Sequence, residues 1–184
     1  MSATVAMARF HDVSPRTMAR MAGGIYVFSL LTAVTFELLL GGRLGYAANF
    51  IQMLGMAAVT LFCYLLFKGV SRGLALLAAT FNLAGLIFEV LRLSPQGINL
   101  ALGFHGVFCV LIGYLIVRST FLPRVLGGLI ALGGFSWLTF ALPALAAHLA
   151  PWNTIVGLAG EASVFLWLLA MGVNAERWRE QARA

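Results

Sequence analysis

The fold is decided by the stretch GLALLAATFNLAGLIFEVLRL, residues 73–93, which is apolar along almost its whole length. A helix needs about 20 residues to cross a hydrocarbon core about 30 Å thick, and this stretch is long enough. Glu89 interrupts the apolar run, and Asn82 and Arg92 share its face if the whole stretch is helical. The stretch therefore predicts a membrane-spanning helix that carries polar groups on one side.

The rest of the chain has the same character. Of its 184 residues 61% are hydrophobic and 10% are charged, and the mean hydropathy is +0.96. Soluble domains carry about 25% charged residues, and so apolar a surface would aggregate in water. We therefore predict an all-α, polytopic membrane helix bundle, a single domain over residues 1–184 with six transmembrane helices at about 22–41, 48–69, 73–93, 98–118, 125–149 and 153–174.

Lysine and arginine indicate the orientation. With the N-terminus in the cytoplasm, ten basic residues lie on the cytoplasmic side, and Arg43 and Arg92 lie outside. This asymmetry predicts a multi-pass protein of the plasma (inner) membrane with both termini in the cytoplasm. The basic residues are dispersed over the helix ends, so their partners are membrane lipids and not nucleic acid. A cleaved signal peptide is the competing interpretation of the first span, but the apolar run at 21–40 exceeds an ordinary h-region.

Polar residues within the predicted spans gather in the outer half of the membrane. Each of the six helices contributes to this layer, helix five through the Thr139 carbonyl, which Pro143 would leave without its helical donor. Buried polar groups usually face the bundle interior or water, so we predict a ligand-binding pocket. Its candidate residues are Glu37, Gln52, Asn82, Glu89, Arg92, His105, Thr139 and Glu161.

Three function classes remain open for this layer. The first is a protein that binds a small polar or cationic ligand, or a lipid headgroup. The second is a membrane-embedded enzyme in which His105 and Glu161 act as general acid and base on a lipid or quinone. The third is a structural or regulatory subunit whose polar layer only locks helix packing. In that case Glu89 would pair with Arg92, and Glu161 would be a protonated, hydrogen-bonded carboxyl. Oligomerisation is open for all three classes.

No established catalytic motif is present, and the sequence identifies no cofactor. Three residues, His105, Glu161 and Glu89, are the candidates for a divalent metal, although the Glu-x-x-His pair of di-iron bundles is missing. Cys63 and Cys109 lie within predicted helices, and we interpret both as packing residues. Arg118 and Arg124, which flank a predicted cytoplasmic turn, are candidates for lipid-headgroup contacts.

Several segments resemble one family of mostly bacterial membrane proteins, the domain-of-unknown-function 4386 family. The resemblance is carried by ARMAGGIYVF, by CYLLFKGVSRGLALLAATFNL, by GYLIVRSTFLPRVLGGLIALGGFSWL, which is the most specific, and by GEASVFLWLLAMGVN. It runs over nearly the whole chain, and the segments of helices four and six include His105 and Glu161. The resemblance implies a small multi-helix membrane domain. It implies no activity, because the function of the family is unassigned.

Overall fold

A computed structural model describes residues 14–39, 42–95 and 98–183 of the chain, while the side chains of 33–39 and 42–46 lie outside the description. Within the described residues the chain is helical and contains no strand, which confirms the predicted fold class. The helices are α1 Pro15–Leu39, α2 Gly42–Phe67, α3 Arg72–Val90, α4 Leu100–Arg118, α5 Arg124–Leu138, α6 Pro143–Leu149, α7 Trp152–Ala170 and α8 Ala175–Arg183.

Five helical segments are long and apolar enough to cross a membrane: 47–67, 72–90, 100–118, 124–141 and 152–170. They coincide with the second to sixth predicted spans, apart from their ends. Helix α1 covers most of the first predicted span, but the side chains of its second half, Glu37 included, lie outside the described residues. A membrane protein with several crossings is therefore confirmed, and the sixth span stays a prediction.

The six longest helices form a closed ring. Helices α1 to α4 each pack against the next helix in the chain, and α7 packs against both α5 and α1. Small residues permit these close approaches. A Cβ atom at Gly23 of α1 would lie 2.5 Å from the backbone of α7, and one at Gly113 of α4 would lie 2.6 Å from the Gly127 carbonyl of α5. The ring surrounds a space to which all six helices contribute side chains.

The predicted fifth span is not one continuous helix. Helix α5 ends at Leu138, a 3-10 turn covers Thr139–Ala141, and α6 begins at Pro143. Proline at the first helical position is favourable, because its missing N–H has no role there. The Leu142 amide donates to the Thr139 carbonyl over 2.9 Å. The prediction that Pro143 leaves this carbonyl without a donor is therefore wrong, because the chain breaks the helix and forms a turn.

Helix α3 also ends earlier than predicted. It stops at Val90, and Arg92 follows with a φ of 52°, in the left-handed region. The amide of Arg92 donates to the Glu89 carbonyl and that of Leu93 to the Phe88 carbonyl, the two bonds of a Schellman motif. The prediction that Arg92 continues the helical face of Asn82 and Glu89 is therefore wrong, because the chain turns away before it.

The C-terminal helix α8 packs across one end of the ring, which we call the tail end. Trp178 Nε1 donates to the Leu66 carbonyl over 2.8 Å, and Gln181 Nε2 donates to the Arg118 carbonyl over 3.2 Å. Both carbonyls lie in the last turn of a helix, where no intrahelical donor remains. Gln181 Oε1 in turn accepts from the Thr120 amide over 2.9 Å. Helix α8 thus satisfies backbone groups at the ends of α2 and α4.

Candidate functional site

A cavity of about 280 Å³ lies inside the ring at the end opposite α8, which we call the cavity end. Four polar residues line its mouth, Asn49 and Gln52 on α2, Glu89 on α3, and Asn99, which caps α4. Glu89 is exposed, so the cavity opens to the exterior here. The walls between mouth and floor are largely apolar, formed by Leu30, Met53, Met56, Leu86, Leu102 and Leu158.

A chain of hydrogen bonds crosses the floor of the cavity. Asn82 Nδ2 donates to Thr60 Oγ1 over 2.6 Å, and Asn82 Oδ1 lies 2.8 Å from His105 Nδ1. The other imidazole nitrogen, Nε2, lies 3.0 Å from Glu161 Oε1. The same carboxylate oxygen accepts from Trp137 Nε1. These side chains come from α2, α3, α4, α7 and α5, so the floor connects five helices.

The direction of these bonds determines where the protons are. The Thr60 hydroxyl donates to the Met56 carbonyl over 2.7 Å, so its oxygen is free to accept from Asn82 Nδ2. Asn82 therefore presents its carbonyl oxygen to His105 Nδ1, which must carry a proton. His105 Nε2 then shares one proton with the Glu161 carboxyl. The pair is either imidazolium and carboxylate or imidazole and carboxylic acid, and both arrangements have no net charge.

Helix α1 supplies the sixth member of the floor. Tyr26 lines the cavity together with Glu161, and its hydroxyl is close enough to the carboxylate to interact with it electrostatically. The Tyr26 ring is buried and stacks on Phe165, with ring centroids 4.1 Å apart. Tyrosine suits this position because its ring fills an apolar wall while its hydroxyl reaches a polar partner. Glu161, only 3% exposed, thus interacts with side chains from α1, α4 and α5.

Two further groups border the floor. Cys109 lies one turn beyond His105 on α4, and its Sγ is 3.6 Å from His105 Nε2. Ser29 lies one turn beyond Tyr26 on α1 and lines the cavity. The Ser29 hydroxyl is buried and has no hydrogen-bond partner within the described residues. An unpaired buried hydroxyl is costly, and this one packs against Gly55 of α2.

The structure brings together part of the predicted pocket. Gln52, Asn82, Glu89, His105 and Glu161 all line the one cavity. Two other candidates lie elsewhere, and the side chain of Glu37 lies outside the described residues. Arg92 follows the end of α3, and the hydroxyl of Thr139 binds Ser136 and Asn153 beside α5. Whether the cavity binds a ligand stays a prediction.

The predicted metal ligands and headgroup contacts also have definite positions. His105 and Glu161 are close enough to share an ion, but the third nearby donor is Cys109 and not Glu89.

Arg118 and Arg124 are exposed at the tail end. Arg118 Nη1 donates to the Tyr114 hydroxyl over 3.3 Å, so the guanidinium group lies against the preceding turn of α4. Headgroup binding by these arginines stays a prediction.

Sequence reasoning missed Tyr26, Thr60 and Trp137 because each residue type is ordinary in an apolar helix. One available indication was that tyrosine and tryptophan usually find a hydrogen-bond partner when buried. Trp137 also packs edge-on against His105, with centroids 6.3 Å apart. Thr60 offered no such indication, since a helical threonine normally bonds its own backbone, as this one also does.

The charge that lines the cavity is negative. Glu89 carries it at the mouth, the His105–Glu161 pair at the floor has no net charge, and the described residues that line the cavity include no lysine or arginine. Carboxylate, amide and hydroxyl oxygens dominate the polar part of the lining. This arrangement favours a cation or a hydrogen-bond donor and disfavours an anion.

One family model matches the chain, that of the Domain of unknown function (DUF4386), over residues 89–172. The matched region contains His105, Cys109, Trp137 and Glu161 of the cavity floor. No curated protein matches the chain, and no solved structure matches it either. The predicted resemblance to the DUF4386 family is therefore confirmed over residues 89–172, and the match does not extend to the earlier segments.

Proposed function

We propose that the chain is a single-domain protein of the plasma (inner) membrane that crosses it six times, with both termini in the cytoplasm. Two observations support this. Helix α1 forms one wall of the same ring as the five apolar helices. The loops at the tail end carry Lys68, Arg72, Arg118 and Arg124, as cytoplasmic loops do. The cavity then opens outside the cell.

A reporter fused after Ala184 tests this topology. A fluorescent protein that matures only in the cytoplasm should be active there, and a phosphatase that needs the periplasm should be inactive. Phosphatase activity alone at this position would overturn the orientation.

The cavity binds a small polar or cationic ligand, and the Glu89 carboxylate at its mouth is the observation that carries this conclusion. A ligand inside meets the negative charge of Glu89 at the mouth and the His105–Glu161 pair, which has no net charge, at the floor, and the described lining includes no lysine or arginine. Ligand pockets range from about 300 to 1,000 Å³, so a cavity of about 280 Å³ suits a small molecule. The apolar walls suit a short aliphatic body behind a cationic or hydrogen-bond-donating group.

Choline is a suitable probe, because it combines a cation, a hydroxyl and a small apolar body. Calorimetric titration into the purified protein in detergent should show saturable binding of choline and none of acetate. Glu89→Gln should weaken binding by about fivefold, equivalent to about 1 kcal/mol for an exposed ion pair. Glu176→Gln is the matched control, since it removes the same charge from exposed helix α8, far from the cavity.

Choline occurs both as a free molecule and as part of lipid headgroups. Measuring choline binding in nanodiscs of different lipid composition distinguishes these two sources. If headgroups occupy the cavity, free choline should bind more weakly in phosphatidylcholine nanodiscs than in phosphatidylglycerol nanodiscs. Equal binding of acetate and choline, or a Glu89→Gln variant that behaves like Glu176→Gln, would contradict the proposal.

An enzyme is the second candidate, favoured by the 3.0 Å contact between His105 Nε2 and Glu161 Oε1 on the cavity floor. A shared proton beside a cavity suits general acid–base chemistry on a lipid or quinone. Turnover of such a compound that is lost in His105→Gln and retained in Cys63→Ser would favour this candidate. Turnover retained in His105→Gln would exclude it.

A further inference from the structure

Three potential metal ligands meet beside the cavity floor. His105 Nε2, Cys109 Sγ and a Glu161 carboxylate oxygen lie within 4.8 Å of one another. We propose that these three side chains form a binding site for a divalent transition metal such as Zn²⁺, with a fourth coordination position open to the cavity. This inference goes beyond the proposed organic ligand and does not depend on it.

The donor spacing fits a tetrahedral ion. Zn²⁺ binds imidazole nitrogen and carboxylate oxygen at about 2.0–2.2 Å and thiolate sulfur at about 2.3 Å, so tetrahedral neighbours lie about 3.4–3.6 Å apart. The distance from Cys109 Sγ to His105 Nε2 is already 3.6 Å. The distance from His105 Nε2 to Glu161 Oε1 is 3.0 Å and has to open by a few tenths of an ångström. Cys109 Sγ and the Glu161 carboxylate oxygen lie within 4.8 Å of each other and have to approach to about 3.6 Å. Rotation of the Glu161 side chain provides both changes.

The surroundings orient the ligands as metal sites require. Asn82 Oδ1 holds the Nδ1 proton of His105, which leaves Nε2 as the coordinating atom. Thr60 fixes Asn82 in turn, and Trp137 Nε1 holds the carboxylate of Glu161. Outer partners of this kind set the tautomer and ring orientation of metal-bound histidine.

The charges balance inside the membrane. A thiolate, a carboxylate and a neutral imidazole carry two negative charges, which a divalent ion cancels. On binding, the Cys109 thiol loses its proton, and the His105 and Glu161 pair loses the proton it shares. Two protons leave and one doubly charged ion enters, without oxidation or reduction. The buried site stays neutral, which avoids the cost of an uncompensated charge away from water.

The residue types favour an ion of intermediate softness. Thiolate and imidazole together suit Zn²⁺ and related metals, whereas Mg²⁺ and Ca²⁺ prefer oxygen ligands. The cavity mouth provides an access route lined by Gln52, Glu89 and Asn99. A cation that enters there meets acceptor groups at the mouth and ligands at the floor.

Cobalt spectroscopy tests the proposal, because Co²⁺ bound to a thiolate has a near-ultraviolet charge-transfer band. The purified, tag-free protein, stripped with a chelator, should bind one Zn²⁺ per chain and should show this band with Co²⁺. Cys109→Ser should lose the band. Cys63→Ser should keep it, and this is the matched control because Cys63 is also a free, buried thiol. No band in the unmutated protein, or a band that survives Cys109→Ser, would overturn the proposal.

A second measurement needs no variant and so does not depend on correct folding of a mutant. Zn²⁺ should slow the alkylation of Cys109 by N-ethylmaleimide, measured by mass spectrometry, and should leave Cys63 unaffected. Equal rates at Cys109 with and without Zn²⁺ would overturn the site. Neither experiment involves choline, so failure of the metal site and failure of the proposed ligand pocket are distinguishable.

Discussion

The two ends of the helix ring differ in what fills the space between the helices. At the tail end the interior is filled by fully buried apolar side chains such as Leu66, Phe67 and Leu115, and α8 covers the helix termini. At the cavity end the helices surround an open space, and a polar network forms its floor. The tail end shows how this chain packs when only stability is required. The cavity end departs from that solution and is therefore where a function is expected.

The floor of the cavity should show the largest effect of a single substitution. Glu161→Leu removes the partner of His105 and Trp137 and leaves their polar atoms buried. Breaking a buried pair of this kind costs about 3–5 kcal/mol. The melting temperature in detergent should fall clearly, whereas Glu89→Gln at the exposed mouth should change stability by no more than about 0.5 kcal/mol. Equal, small effects of both changes would show that the floor is not a stabilising element.

The helical, membrane-spanning character of the chain was largely predictable, because the length and apolar composition of the spans depend on many residues and tolerate local errors. The errors occurred where a single turn decides the outcome. The apolar pattern extends a helix through Arg92, where the chain forms a Schellman motif. It also predicts that Pro143 interrupts a helix, whereas Pro143 begins a new one. Backbone choices of this kind depend on tertiary packing, which the apolar pattern does not encode.

The site was only partly predictable for a related reason. Asn82, His105 and Glu161 were identifiable because polar groups are rare in apolar helices. Cys109 and Ser29 were not, since both residue types are common within membrane spans. Their positions distinguish them. Cys109 Sγ lies 3.6 Å from an imidazole nitrogen, and the Ser29 hydroxyl has no hydrogen-bond partner among the described residues. The rotation of α4 and of α1 about their own axes determines both positions.

Two adjacent glycines of α5 near the tail end, Gly127 and Gly128, test how closely the helices pack there. A Cβ atom at Gly127 would lie 2.6 Å from the Gly113 carbonyl of α4, whereas one at Gly128 would meet nothing within 4 Å. Gly127→Ala should destabilise the protein by about 1–3 kcal/mol through overpacking. Gly128→Ala should be neutral or stabilise it by up to about 1 kcal/mol through helix propensity. Thermal unfolding in detergent measures both, and equal shifts would refute the close packing of α4 on α5.

The smallest effect is expected at helix α8. Trp178→Phe keeps most of the ring but removes the donor to the Leu66 carbonyl. Loss of one such bond should cost about 1 kcal/mol. Trp152→Phe is the matched control, because Trp152 is 68% exposed. Indistinguishable melting temperatures for the two variants would mean that α8 lies on the tail end without stabilising it.

Accessibility of the cavity from outside the cell tests the central claim most directly. In a variant with Cys63→Ala and Cys109→Ala, cysteines are placed singly at Glu89, which lines the cavity, at Val90, which faces away from it, and at Ser94 in the following loop. A membrane-impermeant maleimide added to intact cells should label the Glu89→Cys and Ser94→Cys variants and should label Val90→Cys much less. Labelling at Ser94→Cys with none at Glu89→Cys would contradict a cavity that opens outward.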